Sequence, residues 1–564
     1  MNFFTPQSPP YSAEAWQQAD VDERARLCTR AWATQGYGTP LSAYLFYLVK
    51  LVLYVWGWLF WCGFSPELGD VASLSDWWLH PLALEKAIVW SMLFEVLGLG
   101  CGSGPLTGRY LPPLGGFLYF LRVGTLKAPL FVGAPLVGRS TRGLLDVAVY
   151  GGLLHALLVV LMSPGSNPAL LVPILVLVAL LGILDRSAFL ASRPEHYWVM
   201  IMGFAHGAEG LVVALWVQLA LWFWAGISKL NPHFPTVVGV MVSNSPALSF
   251  PWFRKKMYRS YPSDLRPSAL AKVLAHFGTF LELGIPIVML ASYLEPRLVV
   301  VGLCMVILLH TYIVSNVPMG VPNEWNFAVA YGAFVVFMPE TARVGWALES
   351  PWLIAMVTCF GFIVPLIGNL KPQRVSFLLS MRYYAGNWPY SIWLFKGDAY
   401  RKLAKLKGSS GWLSDQLSHF YSSAIIEGVK SRIMAFRLMH LQGRLLPSLL
   451  KKVVPDIRDY AYMEGEVIAG MTLGWNFGDG HLHHESLVKS VQALASFDEG
   501  ELIVLMVEPQ ALGASEIPFR AVDAATGAKL GGSVQVSDLE AIQPWGTLDD
   551  AKLHLVGAAS GDVT

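Results

Sequence analysis

The sequence predicts a mostly α-helical protein, a polytopic transmembrane helix bundle of about nine spans with a small C-terminal α/β soluble domain. Two observations support this fold class. Of the 564 residues, 54% are hydrophobic and 14% are charged, whereas about a quarter of the residues in an ordinary soluble domain are charged. Apolar runs of about 20 residues, long enough to cross a bilayer as a helix, also recur through the first two thirds of the chain.

The N-terminal segment, residues 1–40, is polar and carries charges of both signs. Its stretch "DVDERARLCTRAW" predicts a short amphipathic helix lying along the membrane surface. The segment lacks the apolar region of a cleavable signal peptide, so we expect insertion to begin with the first true span.

The transmembrane bundle is predicted over residues 41–370, each span being an apolar run of suitable length. The candidate spans are 41–62, 82–103, 143–163, 168–187, 197–228, 269–293, 297–317, 323–341 and 351–369. The run 197–228 contains "GFAHGAEG", which allows either one tilted helix or two pieces broken at the glycines.

After the last predicted span the continuous apolar runs give way to amphipathic segments. Residues 371–410 are predicted to form an interfacial helix and a linker, and residues 411–564 a soluble domain. Residues 411–460 have apolar side chains at helical spacing with basic ones between them. Residues 500–537 alternate like strands and include a turn with glycine, which predicts a hairpin.

Composition excludes several classes of function. The net charge is +1, which gives no sign of a nucleic-acid partner. The five cysteines are widely scattered, without the spacing of a disulfide framework or a cysteine metal site.

Ionisable residues in or beside the apolar runs are the first candidates for a functional site, because such groups are costly at membrane depth. Lys229 ends the apolar part of the stretch "LWFWAGISKLNPHF". A lysine in an apolar pocket loses basicity and can act as a base. His196, His276 and His310 lie in neighbouring apolar segments and suit proton transfer near neutral pH. The alternative is a polar network that ties helices together. Lys50 and Glu95 would form a structural pair of this kind.

Four stretches in the same order resemble vitamin K-dependent gamma-carboxylases and the horizontally transferred transmembrane (HTTM) superfamily, over a core of about 143–341. "FWAGISKLNPHF" is similar to the family's lysine motif and "SRPEHYWVMIMGF" to a stretch with a histidine implicated in carboxylation. "LAHFGTFLELGIPIVML" and "LLHTYIVSN" align His276 and His310. The whole chain also resembles an uncharacterised bacterial transmembrane family of gamma-carboxylase type.

The resemblance implies roles for individual residues. Lys229 would be the base, and His196, His276 and His310 would position substrate, a reduced quinone or oxygen. Glu282 would orient a histidine, although it lies six residues from His276 and therefore, at about 100° per residue, on another helix face. A reduced quinone is the implied cofactor.

The chain also departs from the family motif. Ser228, Asn231 and Phe234 stand where the family has lysine, aspartate and tryptophan. The large lumenal region that binds Gla-type protein substrates has no evident counterpart, so such a substrate is not expected.

A histidine-rich tail gives a second chemical signal. His481, His483 and His484 lie beside Asp479 and Glu485, and imidazole with carboxylate is a zinc-type ligand set. The favoured interpretation is a polar loop packed against the membrane domain, because no distant ligand completes the set, and a metal cofactor is not expected.

Two hypotheses follow for function. The first is an integral membrane enzyme, in the bacterial inner (plasma) membrane, that acts on a lipophilic or quinol-type substrate. The alternative is a non-catalytic membrane protein that binds or moves an apolar ligand, or that holds a protein partner through the C-terminal domain. Membrane lipid and a lipophilic small molecule are the expected partners in both.

Overall fold

The fold is described from a computed structural model, which covers residues 2–100, 109–110, 116–317, 322–338, 346–475 and 485–556. The described helices of the first two thirds of the chain are α1 (Ala13–Gln18), α2 (Val21–Gln35), α3 (Leu41–Cys62), α4 (Leu74–Trp77), α5 (Pro81–Val96), α6 (Phe117–Phe120), α7 (Leu144–Met162), α8 (Pro168–Leu184), α9 (Arg186–Ala191), α10 (Val199–Ala205), α11 (Gly210–Ser228), α12 (Phe234–Asn244), α13 (Pro251–Lys256), α14 (Ala269–Ala291), α15 (Leu298–Val314), α16 (Asn323–Phe337), α17 (Pro351–Thr358) and α18 (Val364–Leu370).

Five helical segments in the described part of the chain are long and apolar enough to cross a membrane. They are α3, α7, α11, α14 and the continuous stretch Pro351–Leu370, in which a π-helical turn, Cys359–Ile363, joins α17 to α18. The prediction of about nine spans is therefore not confirmed. The apolar helices α8 and α15 have 17 residues each, slightly short of the length that spans a typical bilayer.

The run 197–228 is two helices and not one tilted helix. Helix α10 ends at Ala205 and α11 begins at Gly210. Between them Gly207 has φ +93°, in the left-handed region that glycine adopts without strain. The glycines of "GFAHGAEG" thus mark a true chain reversal.

The N-terminal segment packs on the C-terminal region, which a helix lying free on the membrane surface would not do. Helix α2 buries Cys28 and Trp32 completely. Arg432, from the C-terminal region, donates a hydrogen bond of 2.8 Å to Gln35 at the end of α2. Tyr11 donates another of 2.7 Å to Ser431.

The C-terminal region is built on an antiparallel sheet. Its helices are α19 (Leu413–Leu417), α20 (Ser423–Met439), α21 (Leu446–Val453), α22 (Gly465–Leu473), α23 (Glu485–Ala495) and α24 (Val536–Ala541). The strands of the whole chain are β1 (Tyr258–Ser260), β2 (Asp264–Pro267), β3 (Tyr390–Lys396), β4 (Tyr460–Glu464), β5 (Leu502–Val507), β6 (Glu516–Asp523), β7 (Gly527–Gln535) and β8 (Leu553–Val556).

Strands β1 and β2 form a separate hairpin, and the other six form one sheet in the order β4-β3-β5-β6-β7-β8. The predicted hairpin near residues 516–535 is confirmed as β6 and β7. Strand β3 lies in the segment 371–410, where a helix and linker were expected, and it pairs with β4, at one edge of the sheet, and with β5.

Strand β5 is buried on both faces. Its residues Leu502, Val504 and Met506 belong to the hydrophobic cluster that also contains the core of the membrane bundle. The alternate residues Ile503, Leu505 and Val507 pack with α2, α12, α20 and α21. A strand covered on both sides has no polar face, which explains the continuous apolar run "LIVLMV".

Candidate functional site

The centre of the candidate site is an ion pair between two membrane helices. Lys229 caps the C-terminus of α11, and Glu282 projects from the middle of α14. The Lys229 Nζ lies 2.5 Å from each carboxylate oxygen of Glu282. The two side chains are only 6% and 5% exposed. The pair is therefore withdrawn from water, and Lys229 is not an anchor that reaches toward lipid headgroups.

Glycine at position 226 allows this contact. A Cβ on Gly226 would lie 2.7 Å from the side chain of Leu283, which follows Glu282 on α14. Any other residue would force the Leu283 side chain to move or the two helices to separate at this level, since real Cβ atoms do not approach so closely. The start of α14 is fixed as well, because Ser268 accepts a hydrogen bond from the Ala271 N–H.

His310, on α15, is held close to this pair and interacts electrostatically with Lys229. Its Nδ1 lies 2.8 Å from the Asn326 amide oxygen, and its Nε2 accepts a hydrogen bond of 3.2 Å from Trp222. Because an indole N–H only donates, the Nε2 has no hydrogen and the ring is the neutral Nδ1–H tautomer. Both ring nitrogens are thus occupied, which makes His310 a positioning residue.

His196 lies in a second buried cluster, in the π-helical turn Pro194–Trp198 that precedes α10. Its neighbour Glu195 accepts hydrogen bonds of 2.8 Å from Arg193 and from Tyr383. Trp325 donates to the His196 Nδ1 at 3.3 Å, and the same nitrogen lies 3.6 Å from the Glu195 Oε1. Among the residues that the structure describes, the His196 Nε2 has no hydrogen-bond partner.

Two further carboxylates belong to this cluster. Lys50 on α3 pairs with Glu324 on α16, a partner that sequence analysis did not single out. Glu95 on α5 is buried and interacts electrostatically with Lys50 and Arg193. Within the described part of the chain, its Oε1 has no hydrogen-bond partner.

The first turn of α16 links the two centres. Glu324, Trp325 and Asn326 are consecutive, and they contact Lys50, His196 and His310 respectively. Successive helical residues point about 100° apart, so this turn must be surrounded on three sides by other helices. The signal for it in the sequence is the polar "NEWN" directly before an apolar run.

The remaining predicted site residues lie elsewhere. His276 is on the exposed side of α14, where it lines a cleft of about 360 Å³ beside Leu230 and Asn231. Glu282, which was expected to orient a histidine, binds Lys229 instead. The structure therefore brings together Lys229, Glu282 and His310, places His196 in the linked cluster, and leaves His276 at the cleft.

The histidine-rich tail cannot be placed, because His481, His483 and His484 lie outside the described residues. In the ranges that are described, no group of three or more histidine, cysteine, aspartate or glutamate side chains could hold a metal ion.

The loop after Lys229 is tied to the C-terminal region. The His233 Nε2 lies 2.9 Å from the Gln510 Oε1, and Gln510 is oriented by its own hydrogen bond to the Ala514 carbonyl. Burial lowers the pKa of His233 to about 4, and the hydrogen bond that His233 donates to Gln510 opposes this only in part. His233 is therefore neutral at pH 7 and donates through Nε2.

The comparisons with known proteins agree with a membrane location. The family described as "Transmembrane protein of unknown function (DUF3556)" matches residues 1–556. No curated protein and no solved structure matches this chain. A gamma-carboxylase or HTTM family is not among these findings, so that resemblance stays a prediction. Since the match covers nearly the whole chain, this integral membrane protein belongs to the DUF3556 family of transmembrane proteins.

Proposed function

We propose that this protein is a membrane-embedded enzyme that moves a proton on a lipophilic substrate, with Lys229 and Glu282 as the acid–base pair. The observation that supports the proposal is the burial of this pair at 2.5 Å between α11 and α14, at the end of the apolar run. Ionisable groups at membrane depth mark functional sites more often than structural ones.

Low polarity around the pair makes the chemistry feasible. Charged groups are strongly disfavoured away from water, so transfer of one proton from Nζ to a Glu282 oxygen gives a neutral amine and a neutral acid at modest cost. The neutral amine can then accept a proton from a substrate carbon. The resulting ammonium lies beside the new substrate anion and stabilises it.

His310 would support this step without exchanging a proton. Its neutral ring faces Lys229 and adds no competing charge, and the contacts from Trp222 and Asn326 keep it in place. The His196 Nε2 has no hydrogen-bond partner among the described residues, so His196 is the better candidate of the two for contact with a substrate.

The quinone implied by the resemblance is not needed for this proposal. A reduced quinone stays the cofactor that the resemblance implies, but Lys229 and Glu282 form an acid–base pair without it. We therefore assign the proton transfer to the residues of the chain itself.

A second candidate function rests on the Arg193–Glu195–His196 cluster with Lys50, Glu95 and Glu324. Chains of buried acids and histidines also carry protons or ligands through membrane proteins. In that case the protein would bind or move an apolar molecule without changing it, and the Lys229–Glu282 pair would be a structural contact between α11 and α14.

The test compares the wild type with Lys229→Arg. Arginine keeps the positive charge but does not release a proton near neutral pH. Purified protein is incubated with a lipid extract of the expression host, and products are sought by mass spectrometry. We expect the wild type to consume a lipid species and the variant not to, while both carry the same co-purified lipids. Equal turnover in the two proteins would contradict the acid–base role, and unchanged lipids with ligand binding in both would favour the second candidate.

The chain offers a matched control in Lys371. This lysine caps the C-terminus of α18 as Lys229 caps that of α11, but it is exposed. Lys371→Arg should leave turnover unchanged. A loss in both variants would show that a lysine at a helix end matters for membrane anchoring alone.

A further inference from the structure

The cleft beside Leu230 and Asn231 is lined by charged side chains that are mainly positive. It has a volume of about 360 Å³ and lies where the β1–β2 hairpin, the start of α14 and the C-terminal region meet. Arg259, Arg266, Lys272 and Arg444 line it together with His276. Glu540 is the one carboxylate among the described lining residues, so the cleft has an excess of positive charge.

Arg444 is the central observation, because it is a buried cation. It is 1% exposed and lies in the turn before α21. One guanidinium nitrogen, Nη1, donates to two backbone carbonyls, those of Leu539 at 3.1 Å and Ile542 at 2.9 Å. In the described part of the chain, its Nε has no hydrogen-bond partner and no carboxylate forms an ion pair with it.

Such an arrangement is costly unless an anion completes it. A buried charge needs a counter-charge, and carbonyl groups supply only part of the compensation. Arg266 and Arg259 repel Arg444 electrostatically, and attraction by Glu540 and Asp264 offsets part of this repulsion. Burial is the largest cause that lowers the pKa of Arg444 to about 10, so the group stays charged at pH 7.

The other three cationic side chains of the cleft differ in how freely they can bind a ligand. Arg266 is bound to Asp264, with 2.5 Å between Nη2 and Oδ2. Arg259 and Lys272 are exposed at the mouth of the cleft, and their long side chains can close over a ligand. Arginine in particular favours phosphate, because its planar group donates two parallel hydrogen bonds to adjacent oxygens.

The mouth of the cleft also adjoins the surface that faces lipid. On α14, Val273, Phe277 and Phe280 are exposed and apolar, and they alternate with Lys272 and His276 at the same helix end. Basic side chains beside an exposed apolar face at a helix end suit a position at headgroup depth. Basic pockets at this depth between membrane helices are known to suit phospholipid headgroups.

We propose that this cleft is a binding site for a phosphate-bearing anion, with the phosphate between the buried Arg444 and the exposed Arg259 and Lys272. The anion is either the headgroup of an acidic phospholipid or a soluble phosphate compound. This site is independent of the reaction proposed for Lys229 and Glu282, since neither residue lines the cleft.

Isothermal titration calorimetry tests the proposal on the full-length protein in a neutral detergent. Three probes are titrated separately: dihexanoyl phosphatidic acid, inorganic phosphate and dihexanoylglycerol, which lacks phosphate. We expect phosphatidic acid to bind and dihexanoylglycerol not to bind. Binding of inorganic phosphate as well would identify soluble phosphates as ligands, whereas binding of the lipid alone would identify a headgroup site. Absence of binding by both phosphate probes would overturn the proposal.

The decisive variant is Arg259→Gln/Lys272→Gln, which changes two exposed residues and leaves the buried Arg444 in place. We expect the dissociation constant for phosphatidic acid to rise by at least about tenfold, from the loss of two charge-assisted contacts. The matched control is Arg297→Gln/Lys489→Gln, which removes the same two charges at exposed positions outside the cleft. Equal affinity in the wild type and the cleft variant, or equal losses in the cleft variant and the control, would contradict a specific site.

The same titration separates this inference from the proposed reaction. Lys229→Arg should bind phosphatidic acid as tightly as the wild type does, because the substitution lies outside the cleft lining. A protein that loses turnover but keeps anion binding would support both proposals. If the protein keeps turnover and binds no phosphate probe, the proposed enzyme function stands and the proposed anion site is contradicted.

Discussion

Two buried ion pairs of this protein look alike by distance and differ in their surroundings. Arg142 and Asp185 approach to 2.7 Å, and Lys229 and Glu282 to 2.5 Å, with every side chain 7% exposed or less. The guanidinium of Arg142 also donates to Leu126 and Ser187, and Asp185 accepts from the Ser187 N–H. Among the described residues, the side chains of Lys229 and Glu282 have hydrogen bonds only to each other, and the Lys229 Nζ also lies 5.5 Å from the centre of the Phe234 ring.

This difference separates a structural pair from a candidate reactive one. The Arg142–Asp185 pair fixes the backbone of the turn between α8 and α9, because Asp185 caps the start of α9. Its charges are fully engaged and cannot shift without breaking several contacts. The Lys229–Glu282 pair holds no loop in place, so a proton can move within it while the surrounding structure stays the same.

The largest expected effect comes from replacing the structural pair. Arg142→Met/Asp185→Leu should lower the free energy of unfolding by at least about 4 kcal/mol, because several buried polar groups each lose a partner at about 1–3 kcal/mol. Thermal unfolding in detergent measures this. A loss under about 1 kcal/mol would show that the pair is as isolated as Lys229 and Glu282.

The reactive pair should respond differently to single and double substitution. Lys229→Met alone should cost about 3 kcal/mol, since it leaves the Glu282 carboxylate buried without a counter-charge. Lys229→Met/Glu282→Leu should recover stability to within about 1 kcal/mol of the wild type, because an apolar pair of similar volume fills the same space. Thermal unfolding of both variants gives the answer, and a double variant as unstable as the single one would indicate further polar partners at the pair.

A pH effect tests how firmly the loop after Lys229 is held. The pKa of His233 is about 4 in the fold and about 6.5 in the unfolded chain, so the unfolded state binds a proton first on acidification. The contribution of His233 to the free energy of unfolding is therefore complete above pH 6.5 and is lost as the pH falls toward 4. Between pH 7 and pH 5 we expect the free energy of unfolding to fall by about 2 kcal/mol from this group.

His233→Gln should remove that part of the pH dependence, and His419→Gln, at an exposed position, should leave it unchanged. His440 is buried as well, and burial lowers its pKa to about 3, so some acid sensitivity should persist in the His233 variant. Identical pH profiles for wild type and His233→Gln would contradict the burial of His233.

The smallest expected effect concerns the histidines on the two sides of α16. Trp325→Phe removes one hydrogen bond to His196 and should cost about 1 kcal/mol, and Trp222→Phe should cost a similar amount at His310. Only the Trp222 variant frees a ring nitrogen of His310 beside Lys229. The pH profile of turnover should therefore shift in Trp222→Phe. An unchanged pH profile in this variant would argue against coupling between His310 and Lys229.

Local patterns in the sequence predicted much of the architecture. The apolar runs identify the membrane helices, and the alternating segment with glycine identifies the β6–β7 hairpin, because both signals depend on residues close in the chain. The count of about nine spans is not confirmed, because some apolar runs form helices slightly too short and one run is split at Gly207. Strand β3 was missed because its burial on both faces removes the alternation that reveals a strand.

The candidate site was predictable only as a set of separate residues. Lys229 and Glu282 are individually conspicuous in their apolar surroundings, but they lie 53 positions apart and meet through the packing of α11 on α14. The expected separation of His276 and Glu282 onto different helix faces agrees with one being exposed and the other buried. The linking role of Glu324, Trp325 and Asn326 depends on three neighbouring helices, which no local pattern reports.

The most direct test of the account is deuterium incorporation. Wild-type protein, Lys229→Arg and the control Lys371→Arg are incubated with host lipid extract in D₂O, returned to H₂O, and the lipids are analysed by mass spectrometry for deuterium on carbon. If the Lys229–Glu282 pair removes and returns a proton, the wild type and Lys371→Arg will label the same lipid species and Lys229→Arg will not. Equal labelling in the wild type and Lys229→Arg, or none in the wild type, would contradict the account.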